Sequence, residues 1–506
     1  MFALCQFLSK RFALLVLLFY LCFFLLFSSG RVASFDAGQQ LQATMLLINT
    51  GSLGTKTPPG GIDSGWVLSS NGKYYQPHDI GNIFLMLPSA LLGSITSKEP
   101  PSIKIEKPPI LSRVCVALTY SCLSSIGCLF MFKLFAGWYK LRTAFLLSFT
   151  FATTTIFWAY TKASWDVMGA CCLICCLLYF SAQILQGRRV RQNIVFAGAS
   201  LALACSFRFS LVPFLGLGLS CLFYYSRQYL TWRHYLTCTA TVVIGLIPSF
   251  VYNYIRMGAI WRPATTAPQY LEGNNALTGN ILHGSLGLLF APNGGLFFYS
   301  PILILLFSLP FVWQYIAIDK RRLILCYGIS AFLNFLLIAK LQNWGAFGWG
   351  PRYLLPIQPI LFIAVGIVIE IFWNKHYKAL VTLISTSMLL NIPPILVNWD
   401  LVTAVFPNAL DRSAFLPNQQ IAVWTGLFMG LQGKQLPTST ELANESTRST
   451  AVIFPDLWTV RIMEMSQIGV LIGLTIMLFL AIIAILAFRK LIELKKSNSD
   501  FENQLY

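Results

Sequence analysis

Two acidic residues stand where apolar runs of this chain end or begin. Asp36 follows the run 12–29 by a few residues, and Asp166 opens the run 167–186 in Tyr160-Thr-Lys-Ala-Ser-Trp-Asp-Val-Met-Gly-Ala. A carboxylate at such a boundary can face both a lipid headgroup and an aqueous acceptor, and two from distant parts of the chain can form one acidic site. Each also has a purely structural reading. Asp36 is a good N-cap for a helix over 37–48, and Asp166 can cap its own run or pair with Lys162, four residues earlier. Arg208, Arg256, Arg262, Lys340 and Arg352 fall at the same boundary. An arginine at a helix end usually snorkels toward water. Arg352 differs because Gly350-Pro351 sets a sharp entry to its run and Trp344, Phe347 and Trp349 mark an interface. A planar guanidinium held there suits a lipid phosphate. His283, in a glycine-rich, semi-apolar stretch, is either a ligand or proton carrier, or a polar residue satisfied at the interface.

The elements that must position these residues follow from composition. Of 506 residues, 56% are hydrophobic and only 11% charged, which excludes an ordinary soluble domain. The net charge of +18 comes from 36 basic and 18 acidic residues. These basic residues occur in small groups between long apolar runs, so they form no nucleic-acid footprint. Runs of bilayer length predict an all-α polytopic protein with about twelve spans: 12–29, 110–132, 143–160, 167–186, 192–207, 209–226, 235–255, 298–317, 323–340, 353–373, 378–397 and 466–488. Only Phe207-Arg208-Phe209 separates the fifth from the sixth, so one bent helix is an alternative there. Residues 80–94 read as a half-helix dipping into the outer face.

Charge sets the orientation. With both termini cytoplasmic, 19 of the 36 basic residues fall in cytoplasmic segments, giving +14 there and +4 outside. The opening run can alternatively be read as a cleaved signal peptide. The bacterial plasma membrane is the expected location. Three polar regions then lie outside: 30–109, 256–297 and 398–464. The first carries a hairpin signal, Asn71-Gly72 within Trp66-Val-Leu-Ser-Ser-Asn-Gly-Lys-Tyr-Tyr-Gln-Pro, and an extended connection over 95–109. The expected organisation is a transmembrane module over 1–397, an outer region over 398–464, and a last span with a cytoplasmic tail over 465–506. Asn444-Glu445-Ser446 is a glycosylation acceptor if the host has that machinery. All 13 cysteines lie in or beside apolar stretches, where Cys172-x-x-Cys175 reads as small packing residues and neither a disulfide nor a metal site is expected.

Four stretches, in order, resemble the GT-C superfamily of lipid-sugar-dependent glycosyltransferases, particularly the relatives of protein O-mannosyltransferases and lipid A aminoarabinose transferases. They are Phe35-Asp-Ala-Gly-Gln39 after the first span, 72–93 around the half-helix, 161–170 around the second acidic residue, and 287–301 with 347–356 in the later loops. The resemblance implies a GT-C-like bundle in which a sugar passes from a polyprenyl-phosphate donor to an acceptor hydroxyl on the outer face, with inversion. It implies Asp36 as general base, Asp166 as its support or the acceptor's guide, and Arg352 with Arg256 or Arg262 on the donor phosphate. Lys73, His78, Asp79 and His283 are further substrate contacts on this reading. The Lys-Pro-Pro that the family often places before the half-helix stands after it here, at Lys107-Pro108-Pro109. The expected partners are the polyprenyl-phosphate sugar, a glycan, lipid or protein acceptor, and membrane lipids, with no nucleic acid and no cofactor or metal. A lipid-linked glycan transporter or flippase, or an oligosaccharide polymerase or ligase, is the alternative.

Overall fold

The computed structural model describes residues 2–32, 35–58, 65–96, 110–262, 277–345, 348–406, 408, 409, 411, 416–434, 454–463 and 467–493. The acceptor sequence at Asn444, the connection from residue 97 to 109 and the tail beyond 493 lie outside them.

The chain is a multi-pass integral membrane protein, all-α apart from one small hairpin. Among the described residues, eight helices are long and apolar enough to cross a membrane. Their outward faces identify the solvent. Trp232–Met257 buries Leu246 but leaves Val243 49%, Ile244 65% and Val251 50% exposed, a pattern that water would penalise and hydrocarbon does not. At the centre runs Asp166–Leu185, packed between Ile110–Ala136 and Val190–Phe207. Small residues allow that approach: Gly127 lies against Cys172, and Gly169 against the Phe207 ring.

Several expected boundaries move for identifiable reasons. The run 143–160 is split. Leu141–Thr154 ends at Thr155, whose hydroxyl accepts from the Phe157 amide, while the Ser300 hydroxyl accepts from the Ile156 amide. Expected as one span, 298–317 is instead the 3-10 segment Pro301–Ser308 followed by short turns, because Pro301 and Pro310 supply no backbone N–H. The fifth and sixth spans are separate helices, Val190–Phe207 and Val212–Ser226, with Arg208 extended between them at φ −144°, ψ 96°.

The expected spans 353–373 and 378–397 lie in Gln358–Asn391, which is broken at His376 (φ −125°, ψ 28°). A straight helix of that length would extend about 51 Å. Yet Asn391 donates to the Tyr299 carbonyl at 3.2 Å, and Tyr299 also packs on Gly350, just ahead of Gln358. Both ends therefore sit on one side of the bundle and the chain turns back at His376.

The elements between the long helices are short. Phe35–Thr50 and Gly81–Thr96 pack on each other, and the hairpin pairs Val67 with Tyr75 and Leu68 with Tyr74 across the Asn71-Gly72 turn. The region 398–464 contributes helices Trp399–Val405, Asn418–Leu431 and Trp458–Met463.

Candidate active site

Asp36 is not a cap. The helix starts at Phe35, which places Asp36 in its first turn, where the helix dipole favours a carboxylate. Its Oδ2 accepts from Arg352 Nη1 at 3.0 Å, and its Oδ1 lies 3.7 Å from His78 Nε2. The side chain keeps 29% of its surface open, so it is partnered yet reachable. Burial acts to raise the Asp36 pKa, but His78, Arg352 and Arg208 outweigh it and hold the carboxyl below its usual value.

Arg352 opens the 3-10 segment Arg352–Ile357, and its guanidinium stacks over Trp165 at 4.1 Å and Tyr353 at 5.1 Å. That stacking satisfies its flat faces while the rim remains for hydrogen bonds. One rim N–H goes to Asp36, and Nε, also buried, has no partner among the described residues. The preceding loop requires its glycines. Gly348 and Gly350 have φ of +129° and +58°, and a Cβ on either would come within 2.8 Å of Trp165 or Tyr299.

Asp166 pairs with Arg208 at 3.3 Å instead of with Lys162, and its Oδ1 accepts from the Val167 amide at 2.8 Å. Arg208 also lies over the Tyr353 ring, 4.7 Å from its centroid. The two acid–arginine pairs, Asp36–Arg352 and Asp166–Arg208, thus share Tyr353 as a common wall. Below them Asn82 donates to Gln40 and to the Ser164 carbonyl and accepts from Tyr120, joining the first outer helix, the half-helix and the Asp166 loop.

Asp79 and Arg256 form a third pair at 3.9 Å. Arg256 was expected on a donor phosphate; its geometry is that of an internal clamp. It is 2% exposed, donates to the Gln76 and His78 carbonyls at 3.0 and 2.8 Å and to Asn253 Oδ1 at 2.7 Å, and lies over Tyr252. The clamp holds the turn that presents His78. Asp79 accepts from the Phe209 amide at 2.8 Å, capping the turn after Arg208, and burial raises its pKa despite Arg256.

Three expected residues are not brought to this cluster. Lys73 follows the hairpin turn, Arg262 is exposed past the end of Trp232–Met257, and His283 is exposed on Ile281–Phe290 with its ring edge-on to Trp344. The sequence left Arg208 without a role, although a charge between two apolar runs was its visible signal. Trp165 and Tyr353 gave no such signal, because an aromatic residue at a helix end reads as an interface residue.

No protein family and no curated protein matches this sequence. Several solved structures show a partial likeness. ArnT from Cupriavidus metallidurans bound to undecaprenyl phosphate has 14% identity and a TM-score of 0.49 over 84% of this chain and 76% of that one. The archaeal oligosaccharyltransferase AglB from Archaeoglobus fulgidus, in complex with an inhibitory peptide and a dolichol-phosphate, has 12% identity and a TM-score of 0.40 over 81% of this chain and 60% of that one. The apo Archaeoglobus fulgidus oligosaccharyltransferase has 11% identity and a TM-score of 0.42, covering 88% and 61%.

Proposed function

We propose that this protein is a membrane glycosyltransferase that moves a sugar from a polyprenyl-phosphate donor to an acceptor hydroxyl at the outer face, with inversion. The observation that carries this reading is the pairing of Asp36, open to 29% of its surface, with Arg352, whose buried Nε still needs an acceptor. A carboxylate and a guanidinium side by side are what attack by a hydroxyl and departure of a phosphate require.

The reaction balances on these groups. Asp36 takes the proton of the acceptor hydroxyl as its oxygen bonds to the anomeric carbon. The bond from that carbon to the phosphate oxygen breaks, and its electron pair leaves with the phosphate. Polyprenyl phosphate is a stable anion, so no general acid is needed; Arg352 offers Nε to its oxygens, and Arg208 adds positive charge beside it. The donor-phosphate role therefore passes from Arg256 and Arg262 to Arg352 with Arg208. Asp166 holds Arg208 in place, and His78, against Asp36, is placed to touch the acceptor. Each charged member of the cluster sits at a helix end or in a turn, which suits chemistry at a membrane surface better than passage across it.

The test is mass spectrometry of lipid-linked sugars in cells with and without the gene. Accumulation of one polyprenyl-phosphate monosaccharide on deletion supports the reading and identifies the donor. Unchanged lipid-linked sugars, alongside a wild-type set of surface glycans, would overturn it.

A further inference from the structure

One side chain of the region 398–464 reaches the loop that carries Arg352. Gln419, in the first turn of Asn418–Leu431, is 1% exposed. Its Oε1 accepts from the Gly350 amide at 3.2 Å and from the Tyr299 hydroxyl at 3.0 Å. Its Nε2 donates to the Gly348 carbonyl at 3.0 Å, and its own backbone amide donates to Asn293 Oδ1 at 2.7 Å. One amide group thus reads the N–H of one glycine and the C=O of the other. The Arg352 amide in turn donates to the Gly350 carbonyl at 2.9 Å.

Those two glycines are the reason such a clamp is needed. Both occupy conformations that only glycine adopts cheaply, and glycine has no side chain with which to hold itself there. Left alone, the loop would sample many orientations, and Arg352 would sample them with it. Asn293 fixes the clamp from behind, donating to the carbonyls of Asn408, Ala409 and Asp411. The Tyr160 hydroxyl holds the intervening Trp349 carbonyl at 2.9 Å.

We propose that Gln419 is a positioning residue for Arg352, fixing the Gly348–Gly350 loop so that the guanidinium meets the donor phosphate. This rests on the reading of Arg352 as the phosphate-holding group. It assigns the region 398–464 a part in donor binding that runs through Arg352.

The experiment measures binding of decaprenyl phosphate to the full-length protein in nanodiscs of neutral lipid, for wild type, Gln419→Leu, Arg352→Ala and the double variant. Gln419→Leu weakens binding about tenfold in the wild-type background and not at all once Arg352 is gone, because a residue that acts through another has nothing left to position. Wild-type binding by Gln419→Leu, or an equal loss in both backgrounds, overturns the proposal. Wild-type binding by Arg352→Ala overturns the phosphate assignment beneath it, a distinct result. If Gln419→Leu fails to fold, Gln419→Glu serves: it keeps the acceptor for Gly350 and donates to Gly348 only when protonated. Its affinity relative to wild type at the same pH then recovers on acidification, and a ratio flat with pH counts against the clamp.

Discussion

Two clusters at one end of this bundle use the same residue types to opposite ends. Around Asp456 the carboxylate is fully buried. It accepts from Lys162 Nζ at 3.0 Å, Arg461 Nη2 at 2.6 Å and Arg31 Nε at 3.4 Å. Lys162 spends its remaining protons on the carbonyls of Ile395 and Val397. Around Asp36, among the described residues, the carboxylate has one hydrogen-bonded cation and an open side. A carboxylate sealed at 0% exposure among three basic side chains is an anchor; one with 29% of its surface open beside a guanidinium is suited to chemistry. The two are joined by the chain itself. Arg31 stands five residues before Asp36 and Lys162 four before Asp166, so the Asp456 anchor holds the loops that deliver both acids.

That contrast can be broken from either side. The largest effect falls on the anchor: Asp456→Asn leaves two or three buried cations unanswered and costs about 3–5 kcal/mol. A thermal midpoint within a degree or two of wild type would show that the cluster bears no such weight. On the open side, Arg352→Lys keeps the charge but loses the fork and the stacking on Trp165, and weakens decaprenyl phosphate binding roughly 10- to 100-fold with little change in midpoint. Equal binding by the two proteins would remove the guanidinium from the donor site.

A smaller effect is expected in the loop between them. Gly350→Ala places a Cβ 2.8 Å from the Tyr299 ring at φ +58°. It lowers affinity several-fold while costing about 1–2 kcal/mol of stability, and loss of stability with no loss of affinity would uncouple loop and site.

The least effect is a pH dependence at the edge of the anchor. Asp400, whose buried Oδ2 lacks a partner among the described residues, has its pKa raised to about 6 by burial, against the pull of Arg31 and Lys162. The folded state then holds more protons than the unfolded one between about pH 4 and that value, so stability falls as pH rises through this window. Asp456 is shifted the other way, downward, and its contribution stays complete above about pH 4. Asp400→Asn flattens the dependence between pH 4 and 6, as chemical denaturation at several pH values would show; an unchanged slope would place the titrating group elsewhere.

Much of the open site was legible because its members break a local rule. Asp36, Asp166 and Arg352 are charges at the ends of apolar runs, and bilayer-length runs alone fixed where those ends lie. The break at Thr155 was not legible, since apolar composition continues across it and the Ser300 hydroxyl that accepts from the Ile156 amide lies 144 residues away. Nor was Asp456 or Gln419. An ordinary Asp or Gln in a polar stretch carries no sign that its partners lie 294 residues away at Lys162 or 69 away at Gly350. Arg256 shows the same limit: sequence marks a cation near a boundary but not the Gln76 and His78 carbonyls it meets.

The account turns on Asp36 as the base. Its most direct test is single-turnover transfer by Asp36→Asn, with the lipid-linked sugar that accumulates on gene deletion as donor, measured beside decaprenyl phosphate affinity and thermal midpoint. The predicted result is a rate lower by about 10²–10⁴-fold with affinity and midpoint close to wild type. Transfer at the wild-type rate from a folded, donor-binding Asp36→Asn protein would contradict it.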